Sequence, residues 1–105
     1  MSKPILSSRS DEPGAAEQIE TFIVGLAERV DNLQDAEFKG DRKELAAMAH
    51  TLGTAAIELG FDLLAASASD LERCCLSDSE EQVRETLIDL TEIAKQIRMG
   101  HRGSV

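Results

Sequence analysis

The chain has no tryptophan, no tyrosine and only three phenylalanines among its 105 residues. Its core must therefore be built from Leu, Ile, Val, Ala and Met. β-Sandwiches lean on aromatic and β-branched residues, so this scarcity points to packed helices. Cations are also short: 11 Lys and Arg stand against 20 Asp and Glu, a formal charge of −9. A phosphate-binding surface needs clustered Lys and Arg, and this balance excludes nucleic acid and anionic membrane as partners. No apolar run approaches the ~20 residues of a membrane span, and the opening MSKPILSSRSDEPG lacks the apolar centre of a signal peptide. The expectation is a cytoplasmic protein. Cys74 and Cys75 are adjacent, which suits neither a disulfide framework nor a metal site. They are expected as reduced thiols, at least one packed as a small hydrophobe.

What is present is helical periodicity. The length allows one small domain. Residues 1–14 read as an N-terminal leader, in which Ile5 and Leu6 can dock on the body. Pro13 suits a first helical turn, with Asp11 and Glu12 near the positive end of the dipole. Ile19, Phe22, Ile23, Leu26, Val30 and Leu33 then recur at three- and four-residue steps, predicting a helix over about 15–36. Gly40-Asp41 restarts the pattern, with Asp41 as cap and Glu44 completing a capping-box arrangement. The next helix carries Leu45, Met48, Leu52 and Leu59 and stops at Gly60. After a turn through Phe61-Asp62, one stripe holds Leu64, Ala68, Leu71 and Cys75. Ser77 or Ser79 caps a last helix bearing Val83, Leu87, Leu90, Ala94 and Ile97 and ending near Gly100. Four amphipathic helices on short connections predict an all-α, antiparallel up-down four-helix bundle over 15–100, with a flexible tail at 101–105.

One of the two histidines lies in the second helix, within AAMAHTLGTAAIELGF (residues 46–61). At about 100° per residue, Leu45, Met48, Leu52 and Leu59 fall about 160–220° from His50, which places the imidazole opposite the core. Lys43, Ala46, Ala47, Gly53, Thr54 and Ile57 lie within about 60° of it. Gly53 within a helix costs about 1 kcal/mol relative to Ala, so small residues here read as room for a convex partner to approach the ring. A surface histidine of no special role is the plain alternative. His101, near the chain end, reads as incidental.

The stretch KGDRKELAAMAHTLGTAAIELGFDLLAASASDLE resembles the histidine-containing phosphotransfer (HPt) domain family. Gly40-Asp41, Leu45, Ala49-His50, Leu52, Gly60-Phe61 and Leu71-Glu72 stand where that family has its recurrent residues, and ETFIVGLAERVDNL is similar to its preceding helix. The resemblance implies a phosphorelay intermediate that carries a phosphoryl group on His50. The group would pass between response-regulator receiver domains, or come from a hybrid histidine kinase. It also implies no cofactor in this domain, with Mg²⁺ in the partner receiver. One departure stands out: the family commonly has Lys then Gly at the third and fourth positions after the histidine, where this chain has Gly53 and Thr54. Lys43, two turns earlier on the same face, is the candidate substitute, across about 10 Å of helix rise. Thr54 is a second candidate for phosphate support, against the ordinary alternative of a hydroxyl bonded back to the His50 carbonyl.

Three readings follow. In the first, a monomeric carrier uses His50 as phosphorylated nucleophile, with Ala46, Ala47, Gly53 and Ile57 as docking surface and no metal ligands. Free imidazole is mostly neutral near physiological pH and so is a competent nucleophile. In the second, a degenerate HPt-fold module docks receiver or kinase domains without carrying phosphate. In the third, the bundle is structural and His50 plays no part. A stand-alone enzyme is disfavoured, since no paired carboxylates, metal ligands or Gly-rich phosphate loop converge in the sequence.

Overall fold

The computed structural model describes residues 14–77 and 79–103. Four helices follow one another, α1 (Ala15–Lys39), α2 (Arg42–Glu58), α3 (Asp62–Ser77) and α4 (Glu80–Gly103). Each packs on its two neighbours in ring order, α1 on α2, α2 on α3, α3 on α4 and α4 on α1, which makes an up-down four-helix bundle. The leader at 1–13, including Pro13, lies outside the described residues. At the other end the backbone of α4 continues through Gly103, past the expected stop at Gly100, so residues 101–103 of the expected flexible tail are helical. No helix among the described residues is long and apolar enough to cross a membrane.

Two glycines turn the chain between helices by the same device. Gly40 (φ 75°) and Gly60 (φ 82°) adopt the left-handed conformation that side chains disfavour. After α1, the Gly40 and Asp41 amides donate to the carbonyls of Glu37 and Ala36. After α2, the Gly60 and Phe61 amides donate to those of Ile57 and Ala56. This paired closure satisfies carbonyls that a helix end leaves open. Asp41 then caps α2, its Oδ1 accepting from the Glu44 amide at 3.1 Å. The reciprocal half of the expected capping box is pre-empted, because the Asp41 amide is already committed to Ala36. Ser79, rather than Ser77, caps α4, its Oγ accepting from the Gln82 amide at 3.3 Å.

The expected stripes of α1, α3 and α4 are all buried. Phe61, expected in a turn, is also core: only 1% exposed, it stacks on Phe22 with ring centroids 5.6 Å apart. The α2 stripe is rotated from its expected position. Its buried residues are Leu45, Ala49, Leu52 and Ala56, whereas Met48 and Leu59 are only partly buried. That set centres about 40° from the expected core direction, toward α3. Within α1, Gly25 sits beside an open space: a Cβ there would meet nothing within 4 Å, although glycine at such a position costs about 1 kcal/mol relative to Ala.

Candidate functional site

The rotation of α2 explains the small residues around His50 differently from the sequence reading. Gly53 is half-buried, and a Cβ on it would lie 3.4 Å from the Ala68 Cβ and 3.7 Å from the Ala65 carbonyl oxygen. Ala49 and Ala56 on the adjoining edge are fully buried, and Ala46 is half-buried against the core. Alanine and glycine along this edge let α3 close on α2. Small residues at Ala46 and Gly53 thus answer to packing between the helices and are not simply room for an outside partner. Ala47 is exposed and Ile57 is 61% exposed, while Ala46 and Gly53 contribute to packing between helices.

The close approach sets His50 beside a residue that pattern reading did not assign to the site. The Nδ1 of His50 lies 3.1 Å from Oε1 of Glu72 on α3. His50 precedes Gly60 by ten residues and Glu72 follows it by twelve, so an antiparallel hairpin folded at that glycine brings them level. The His50 side chain remains 67% exposed and that of Glu72 35%. As a carboxylate, Glu72 can only accept, so Nδ1 carries the proton of this bond and, in the neutral ring, Nε2 carries the free lone pair. The arrangement presents one oriented nucleophilic nitrogen on an accessible helix face.

The other expected site residues divide. Thr54 donates its hydroxyl to the His50 carbonyl at 3.1 Å, the ordinary helical back-bond. Thr51 makes the same bond to Ala47. Lys43 is exposed on the same face as His50, one end of α2 away. On the turn after His50, Gly53 offers no side chain and Thr54 no charge. Behind the site both thiols are free and buried. Burial pushes the Cys75 thiol above its ordinary range, with the positive charge of Arg42 opposing the shift. Among the described residues, no group of three or more His, Cys, Asp or Glu side chains gathers as a metal site would require.

Comparisons with known proteins bear on the chain as a whole. Residues 17–100 match the sequence model of the Hpt domain, a span covering all four helices. A search of curated proteins and one of solved structures returned no match.

Proposed function

This chain belongs to the Hpt domain family, and on that footing we propose that His50 is a phosphorelay intermediate, accepting and donating a phosphoryl group between receiver domains or from a hybrid sensor kinase. The observation that supports this reading is the contact of Nδ1 with Glu72, which in the neutral ring leaves Nε2 unprotonated on a side chain that is 67% exposed. Nε2 attacks the phosphorus of a receiver aspartyl phosphate. The N–P bond forms as the P–O bond breaks, and the electron pair returns to the receiver carboxylate. No proton has to leave the ring, because Nδ1–H stays bonded to Glu72, whose charge offsets the positive charge that the imidazole acquires. The reverse attack by a second carboxylate passes the group on. Mg²⁺ belongs to the receiver in this scheme. Ala47 and Ile57, with the exposed parts of Ala46 and Gly53, form the docking surface, and Lys43 is the candidate cation on the His50 face.

A second reading, a module that docks receivers without carrying phosphate, draws on Gly53 and Thr54. Neither can place a cation beside a phosphoryl group on His50, and the Thr54 proton is engaged by the backbone. One experiment separates the two readings. Incubated with a phosphorylated receiver, the carrier acquires acid-labile, base-stable phosphate, and His50→Gln abolishes this while helical content is unchanged. Labelling that persists in His50→Gln refutes the assignment, and binding without labelling of the unaltered chain establishes the docking module.

A further inference from the structure

The contact between His50 and Glu72 governs the loss of a phosphoryl group as well as its arrival. Once Nε2 is bonded to phosphorus, the state of the ring turns on whether Nδ1 keeps its proton. With Nδ1–H in place, cleavage of the N–P bond releases a neutral imidazole. With Nδ1 bare, it releases an imidazolate, a much stronger base and a much poorer leaving group. Oε1 of Glu72 lies 3.1 Å from Nδ1, and a carboxylate there favours the protonated ring both as hydrogen-bond acceptor and as opposite charge. On α2 the charged side chain sharing the His50 face is the exposed Lys43, two turns away. On the turn after His50, Gly53 has no side chain and the Thr54 hydroxyl is engaged by the His50 carbonyl, so neither pairs with phosphoryl oxygens. The His50 side chain, 67% exposed, is open to water.

We propose that Glu72 sets the lifetime of the phosphoryl group: by holding the proton on Nδ1 it keeps phosphorylated His50 in its cleavable, cationic-ring form. The charged carrier is then a fast donor and, left without a receiver, a short-lived one. This inference rests on the reading of His50 as a phosphoryl carrier. In donation a receiver carboxylate oxygen bonds to phosphorus, the N–P bond breaks, and the electron pair settles on Nε2. The ring becomes a neutral imidazole whose Nδ1–H has stayed on Glu72. In spontaneous loss a water molecule takes the place of the carboxylate, and its two protons leave on the released phosphate. In neither case must a proton be delivered to the ring as the bond breaks. Glu72 touches neither phosphorus nor the attacking oxygen, so it is a positioning residue that acts through the imidazole.

The test charges the full chain with phosphoramidate, a small-molecule donor that needs no receiver. The chain carries His101→Gln, which leaves His50 as its one imidazole. Decay of the ³¹P resonance of phosphohistidine is followed with Glu72 intact, in Glu72→Ala and in Glu72→Gln, and ¹⁵N shifts of the ring report the proton on Nδ1. The expected result is a phosphohistidine severalfold longer-lived in Glu72→Ala, with less of the ring protonated at Nδ1. Glu72→Gln, which keeps a hydrogen-bonding group and drops the charge, should fall between, and helical content should match in all three. Equal lifetimes overturn the proposal. So does faster decay in Glu72→Ala, which would make Glu72 a shield against water, or a longer lifetime with the Nδ1 proton unmoved. A chain charged by phosphoramidate but by no phosphorylated receiver refutes the carrier reading, while the lifetimes still decide the part played by Glu72.

Discussion

Replacing Glu72 by alanine removes the side-chain partner that the described residues give the His50 ring, while leaving the histidine and its helix in place. The magnitude follows from exposure. A charge-assisted hydrogen bond contributes about 1.5–3 kcal/mol where water is excluded. Here the His50 side chain is 67% and that of Glu72 35% exposed, and solvent screening reduces the bond to about 1 kcal/mol, the upper end for surface pairs. If all of this acts when the ring gains positive charge, phosphoryl acceptance slows about fivefold. Glu72→Gln keeps an acceptor oxygen and loses only the charge, so it should retain the Nδ1–H tautomer and fall between the two. The assay is rapid-quench transfer from a phosphorylated receiver, paired with ¹⁵N shifts of the imidazole nitrogens, which report the tautomer directly. A tautomer that does not move in Glu72→Ala, or a transfer rate equal to that of the unaltered chain, would refute the claim that Glu72 orients the nucleophile.

Two further outcomes concern stability. Gly53→Ala places a methyl group at ordinary contact distance from Ala68 and Ala65 and should stabilise the fold by about 0.5–1 kcal/mol; thermal unfolding should rise by about 2–8 °C, and a fall in Tm would show that α2 and α3 have no room left. The Cys75 thiol is held above its ordinary range by burial, so the unfolded chain releases this proton first as pH rises. Its contribution to stability is intact below the ordinary thiol value of about 8.5 and declines above it. Denaturant titrations across that range should show the decline in the unaltered chain and a shallower one in Cys75→Ala.

Large aliphatic residues made α1, α3 and α4 legible in the sequence. Leu26, Leu71 and Leu90 each recur with their neighbours at helical spacing, and burial follows. In α2 the same logic misled, because alanine and glycine carry no weight in a search for large apolar residues. Ala49 and Ala56 are fully buried, and with Gly53 they set how closely α3 approaches, which turns the core-facing side away from Met48 and Leu59. Phe61 was obscured by its place after Gly60, although a buried residue that follows a left-handed glycine commonly contacts the last helical turn. His50 was recognisable from its surroundings and from the family resemblance. Glu72 stands among the residues that carry the resemblance, but its contact needs the hairpin: twenty-two residues separate it from His50, and only folding at Gly60 makes them neighbours.

The bend at Gly60 has a bearing on how the protein can change over time. Histidine, carboxylate and the tight seam between them all belong to a single pair of consecutive helices, so the proposed site assembles from contacts close along the chain. Helices α1 and α4 support it from behind. Their outward faces are thereby free to diverge toward new recognition without disturbing the alignment of His50 on Glu72.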